Sequence, residues 1–288
     1  MKWKVGDTTI TKITEIVFPE FSDVIPAATP EVVKKVQWLF PHFVTPEGML
    51  SLSIHSLIVD TPGAKLVVDT CIGNDRNRDP LAVMSNLSTS YLEDMSAAGY
   101  KPESINYVLC THLHLDHVGW NTRLVDGKWV PTFPKASYLM DKKEIALFGS
   151  IDEKAEDDFL QVQRRVFADS VQPVFDAGLA KPIEGPAQVC EGVRLIPTPG
   201  HTPGHCSVII ESKGETAMIT GDFIHHPIQF HDPGLVSPFD VDNAAAVATR
   251  RRVFGEYADT PTLIIGTHFA GPTAGKLVRD GDGYRLDV

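Results

Sequence analysis

Thr111-His112-Leu113-His114-Leu115-Asp116-His117 sets three imidazoles and a carboxylate within six consecutive residues, 112 to 117. The apolar run Asn106-Tyr107-Val108-Leu109-Cys110 precedes them and reads as a buried strand. If the extended backbone continues to His114, then His112 and His114 share one face, because strand side chains alternate with period two. Asp116 and His117 then fall where strand gives way to loop, with Gly119 just beyond. Such a cluster at a strand's end mounts a metal site on a rigid support; the alternative is three solvated loop histidines.

Three more strand ends offer the same chemistry. His201 follows Val193-Arg194-Leu195-Ile196 within Pro197-Thr198-Pro199-Gly200-His201-Thr202-Pro203-Gly204-His205. Asp222 closes a β-hairpin expected over 206–211 and 215–220, and His268 follows the apolar run Thr262 to Ile265. Glycine stands beside each (Gly200, Gly221, Gly266), letting backbone approach a metal closely. Together with His112, His114, Asp116 and His117 these make seven nitrogen and oxygen ligands without sulfur. Imidazole with carboxylate suits zinc, and also manganese, iron, cobalt or nickel. Seven ligands are too many for one tetrahedral ion but fit two ions sharing a bridging carboxylate, typically about 3.5–4 Å apart around an activated water.

Composition narrows the rest. The chain has 288 residues, 43% hydrophobic and 22% charged, ordinary for a soluble globular protein with a sizeable core. A net charge of −11 opposes nucleic acid or an anionic membrane as partner. The one basic run, Arg250-Arg251-Arg252, lies in a helical pattern over 242–257 and reads as a solvated face. No stretch approaches the roughly 18 apolar residues of a membrane span, and Met1 to Asp7 lacks a signal peptide's apolar core. Cys71, Cys110, Cys190 and Cys206 are scattered without C-x-x-C spacing, which points to buried thiols and a cytoplasmic protein.

Residues 18 to 50 break the β-rhythm of Thr8 to Val17 with prolines and aromatics, among them Trp38, Phe40 and Phe43. Thr29-Pro30-Glu31 opens a short helix there, Thr as N-cap and Pro at the first helical position. This arm either pads the core or serves as a lid or dimer arm over a site, with Trp38, Phe40 and Phe43 as substrate contacts. Hairpin signals at 51–59 and 65–69, then strands alternating with helices, favour one mixed α/β layered domain over residues 1–288.

The ordered segments HLHLDH, TPGHTPGH, TGD and GTH, with the hairpin ending Val68-Asp69-Thr70, resemble the metallo-β-lactamase superfamily over roughly residues 50 to 270. The resemblance implies an αββα sandwich of two mixed β-sheets flanked by helices. It implies that His112, His114 and His201 hold one metal, that Asp116, His117 and His268 hold the other, and that Asp222 bridges. Asp69 matches a residue that orients the site by hydrogen bonding, and His205 is not a usual ligand. Residues 218 to 288, through Gly221-Asp222-Phe223-Ile224-His225, Gln229-Phe230 and Gly283-Tyr284-Arg285-Leu286, look most like the methyl parathion hydrolase and lactonase branch. Quorum-signal lactonases carry Tyr three residues after the bridging Asp, where this chain has His225.

The expectation is a dinuclear site with two divalent ions, zinc first, and a bridging hydroxide that attacks an ester, lactone or organophosphate triester. Asp116 orients the hydroxide and His225 assists the leaving oxygen. The rivals are a β-lactam hydrolase, a mononuclear iron enzyme resembling persulfide dioxygenases, and a nuclease, the last disfavoured by charge. The partner is a small molecule, with a homodimer as the remaining assembly option.

Overall fold

Apolar strand runs build a seven-stranded mixed sheet in the order 2–5, 8–18, 52–60, 65–68, 107–109, 137–141, 180–183. Its last four strands run parallel. Leu66, Val67, Val68, Val108, Leu109, Tyr138, Leu139 and Met140 on the inner ones are buried, the near-continuous apolar pattern of strands covered on both faces. The computed structural model describes residues 1–288, which cluster into two units. Met1–Glu15 with Ile54–Gly185 forms one; Ile16–Ser53 with Pro186–Val288 forms the other.

In the first unit helices follow the strands. Asp141 caps Lys142–Gly149 by accepting from the Lys143 amide at 2.8 Å. Asp157 caps Asp158–Val166 by accepting from Leu160 at 2.9 Å. The strand before the histidine stretch is shorter than expected. It ends at Leu109, and residues 110–117 lie outside any strand, in bends and a turn over 115–117. Asp69 and the histidine stretch thus leave the same end of two parallel neighbours, the end where open α/β sheets place ligands.

The second unit carries its own seven-stranded sheet, in the order 187–190, 193–197, 206–212, 215–219, 263–265, 274–280, 283–287. All neighbours are antiparallel except 215–219 with 263–265, which run parallel and so deliver Asp222 and His268 from one end. The expected helix appears as Asn243–Tyr257, capped by Asp242 on the Ala245 amide at 2.9 Å. It turns Ala246, Thr249, Arg250, Val253 and Phe254 inward. Arg250 is therefore buried, not solvated: positions 246, 249, 250 and 253 share a face at helical spacing.

The aromatic arm is largely core. Val24, Ile25, Ala28, Val33, Val36, Leu39, Phe43 and Val44 join one buried cluster with Met218, Ile264 and Phe269. Pro30 starts a single helical turn, Pro30–Val33, but Thr29 makes no side-chain cap bond. Cys71, Cys110 and Cys206 are buried thiols and Cys190 is half-buried. No helix is long and apolar enough to cross a membrane.

Candidate metal centre

Each unit gathers part of the ligand set. In the first, the His112 ring lies 4.6 Å from that of His114 and 4.0 Å from that of His117, centroid to centroid. Three buried imidazoles this close would repel one another if protonated; as neutral rings they can offer lone pairs to a cation. Their orientation is fixed from behind. His117 Nδ1 bonds Asp69 Oδ2 at 2.9 Å, and His112 Nδ1 meets Thr111 Oγ1 at 3.1 Å. Asp69 also accepts from the Thr111 amide at 2.8 Å and from its hydroxyl at 2.9 Å. A proton held on Nδ1 leaves Nε2 as the donor atom, which is how metal-binding histidines are set. Asp116 stands beside them, Oδ1 at 3.7 Å from His117 Nε2. His114 is gripped edge-on by Phe148 and Phe159, with ring centroids 5.4 and 5.5 Å away.

The loops under this cluster hang on one half-buried carboxylate. Glu15 accepts from the Ile72 amide at 2.8 Å, Gly73 at 3.1 Å and Trp120 Nε1 at 2.6 Å. Burial raises its pKa, and these donors oppose the rise. Gly119 completes the brace: a Cβ there would meet the Ile72 carbonyl oxygen at 1.8 Å.

In the second unit three Nε2 atoms converge on a single oxygen, Asp222 Oδ2. His268 lies at 3.1 Å, His225 at 3.5 Å and His201 at 3.8 Å. Again the far nitrogens are tied back: His201 Nδ1 to Asp240 Oδ1 at 3.0 Å, His268 Nδ1 to the Ser53 carbonyl at 3.3 Å. His205 is oriented differently. Its Nε2 accepts from the Asp222 amide at 2.6 Å, so it braces the carboxylate's backbone. Gly221 must be glycine, since its φ is +61° and a Cβ would meet His205 Nε2 at 2.5 Å.

His225 is buried with no hydrogen-bond partner on either ring nitrogen. Its ring stands edge-on to His201 at 4.8 Å and parallel to His268 at 6.4 Å. Burial pushes its pKa down to about 3 against the pull of Asp222, so the ring is neutral. Of the aromatic residues expected to meet substrate, Phe40 is exposed and Trp38 half-buried. Phe43 is fully buried, its ring edge-on to His226 and Phe269 at 6.4 and 6.3 Å. Asp240, Arg250 and Glu15 carry roles the linear motifs do not announce.

The seven-ligand set fits divalent ions chemically: imidazole nitrogens with fixed tautomers, carboxylates, and no thiolate among them.

The chain is 26% identical over 219 residues to an N-acyl homoserine lactonase of Bacillus cereus, covering 72% of this chain and 78% of the relative. A probable metallo-hydrolase of Mycobacterium tuberculosis is 26% identical over 192 residues, covering 62% of this chain and 58% of that protein. Among solved structures, the hydrolase AbOPH of the β-lactamase superfamily superposes with a TM-score of 0.81 at 24% identity, over 100% of this chain and 96% of its own. AidC, a dizinc quorum-quenching lactonase, gives 0.78 at 21%, over 99% and 96%. At these identities the structural likeness shows the fold, which is the one expected from the motifs. The model of the metallo-β-lactamase superfamily matches residues 51–268, most of the chain. The chain belongs to the metallo-β-lactamase superfamily.

Proposed function

We propose that this metal-dependent hydrolase carries a dinuclear centre and opens a lactone, ester or organophosphate triester of modest size. His112, His114 and His201 would hold one ion, Asp116, His117 and His268 the other, with Asp222 shared between them. Two divalent ions, zinc first among Mn2+, Fe2+, Co2+ and Ni2+, would supply a water acidified to a pKa of about 7 and a Lewis acid for the electrophilic oxygen.

The observation that carries this reading is the convergence of His201, His225 and His268 Nε2 on Asp222 Oδ2 within 3.8 Å. A carboxylate oxygen ringed by three imidazole nitrogens is an arrangement suited to a shared cation. The chain's own groups then divide the work. Asp116, partly open to solvent, would accept a hydrogen bond from the attacking water or hydroxide and orient it. His225, neutral and with no hydrogen-bond partner on its ring nitrogens, would donate a hydrogen bond to the substrate's carbonyl or leaving oxygen. Phe40 and Trp38 offer apolar surface to the substrate's body.

Among the substrate classes the lactone is favoured by the relatives named as N-acyl homoserine lactonases. The test is a panel of acyl homoserine lactones, p-nitrophenyl esters, paraoxon-type triesters and nitrocefin, with metal content measured on the same preparation. Lactone turnover with about two ions per chain is expected. Turnover of nitrocefin alone would make it a β-lactam hydrolase, and one iron with oxygen uptake would remove the hydrolytic reading.

A further inference from the structure

The Asp240 side chain faces inward with no solvent exposure and makes three polar contacts. Its Oδ1 accepts from His201 Nδ1 at 3.0 Å, and its Oδ2 accepts from the Ser237 amide at 3.2 Å. Arg250 Nη1 approaches that second oxygen to 3.6 Å, and both side chains of this pair are fully buried. Arg250 reaches further. Its Nε donates to the Pro233 carbonyl at 2.9 Å, and Nη1 donates to the Phe223 carbonyl at 3.2 Å. Phe223 is the residue after Asp222, so one guanidinium joins the loop of His201 to the loop of Asp222.

The backbone around Asp240 is locked onto the His201 loop as well. The Val241 amide donates to the His201 carbonyl and the Asp242 amide to the Gly200 carbonyl, both at 2.9 Å. Thr249 Oγ1 donates to the Pro199 carbonyl at 2.6 Å. Gly200 has φ +132°, and a Cβ would meet the Ala246 nitrogen at 2.2 Å, so this contact admits only glycine. Helix 243–257 thereby presses its first turns against the ligand loop.

We propose that Asp240 and Arg250 are positioning residues that set the tautomer of His201 and the spacing between His201 and Asp222. This rests on the reading of His201 as a metal ligand. A carboxylate on Nδ1–H fixes the proton there, aims Nε2 and raises its basicity as a donor. Arg250 neutralises Asp240, which would otherwise be an isolated buried charge. His201, His225 and Asp240 also place one ligand atom each within 4.8 Å of one another. An ion between them is disfavoured because the 3.0 Å contact is a hydrogen bond and the guanidinium already neutralises the carboxylate.

The test titrates Co2+ alone into the metal-stripped full-length chain, following its visible absorption and its competition with a chelator. Variants Asp240→Asn, Arg250→Met, Arg250→Lys and His201→Ala are compared, with thermal unfolding of each apo-protein alongside. Asp240→Asn is expected to weaken one Co2+ step about 10–100-fold and change its spectrum, leaving the other step in place. Arg250→Met should weaken the same step, and Arg250→Lys should restore part of it. Unchanged Co2+ affinity and spectrum in Asp240→Asn, with His201→Ala losing that step, overturns the proposal even if thermal stability falls. Unchanged binding in His201→Ala overturns instead the reading of His201 as a ligand. Should Asp240→Asn fail to fold, Asp240→Glu, which keeps the charge and displaces the oxygen, is read by the same two outcomes.

Discussion

His205 Nε2 accepts the Asp222 amide at 2.6 Å while its Nδ1 donates to the Thr198 carbonyl at 2.9 Å. Nδ1 also meets the Thr198 hydroxyl at 2.8 Å, so both ring nitrogens are engaged and the second histidine of TPGHTPGH acts as a strut between two loops. Its neighbour His201, four residues earlier, presents Nε2 to Asp222 Oδ2 instead. The same motif supplies one candidate ligand and one brace.

His205→Ala should therefore retain its metal at saturating concentration while losing stability. The buried Asp222 amide would be left without an acceptor, at a cost of about 1–3 kcal/mol. Denaturant unfolding with elemental analysis reads both quantities. Loss of a full metal equivalent would instead make His205 a ligand.

His226 gives the protein an acid-sensitive core contact. Its Nε2 donates to the Phe43 carbonyl at 2.8 Å and its Nδ1 accepts from the Ile228 amide at 3.1 Å. Burial pushes its pKa down to about 4. Above pH about 6.5 the ring is neutral folded and unfolded alike, and it adds no pH dependence. As pH falls from there to about 4, only the unfolded chain takes up the proton. Stability then drops at roughly 1.4 kcal/mol per pH unit from this group. His226→Gln removes that slope, so the stability gap between the native protein and the variant should narrow steadily from pH 6.5 towards 4.5. A gap independent of pH would show that His226 does not titrate in this way.

Phe40 and Phe43 separate binding from packing. Phe40 is 54% exposed and Phe43 wholly buried. Phe40→Ala should leave stability within about 0.5 kcal/mol and raise KM for bulky aromatic substrates with kcat nearly unchanged, the mark of lost uniform binding. Phe43→Ala should cost about 3–5 kcal/mol through the cavity it leaves. Unaltered kinetics of Phe40→Ala on every substrate would remove the arm from the substrate site.

The candidate ligands His201, Asp222 and His268 are legible in the sequence because each follows an apolar strand close to a glycine, a local pattern in which residue type and position agree. The supports are not. Glu15 sits in a strand between Thr14 and Ile16, and only the tertiary fold brings Ile72, Gly73 and Trp120 to it. Asp240 lies in an irregular stretch whose one signal is chemical, a carboxylate shortly before a helix. Arg250 is hidden by Arg251 and Arg252. Helical spacing with Ala246 and Val253 is the cue that sets it apart, and the charge of the run obscures that cue. The strand's early end at Leu109 has a similar cause: Thr111 turns back to bond Asp69, which fixes the histidines by side-chain bonding rather than by β-alternation.

The last prediction concerns His225, whose ring nitrogens have no hydrogen-bond partner although the residue is buried. A buried polar ring without a hydrogen bond, edge-on to His201 and parallel to His268, costs free energy unless something binds it. Its Nε2 is 3.5 Å from Asp222 Oδ2, beside the shared carboxylate of the proposed centre. With its pKa depressed by burial the ring is a neutral donor, not an imidazolium. It would stabilise negative charge on a departing or carbonyl oxygen by hydrogen bonding, an interaction whose loss costs about 10²–10³-fold in kcat. His225→Ala should keep both ions and lose most rate on substrates with poor leaving groups, such as lactones. The loss should be least for p-nitrophenyl esters, whose phenolate departs unaided. His225→Gln, which restores a neutral donor, should recover part of the rate. Loss of a metal ion in His225→Ala would identify the residue as an eighth ligand, and an equal kcat for every leaving group would confine it to packing.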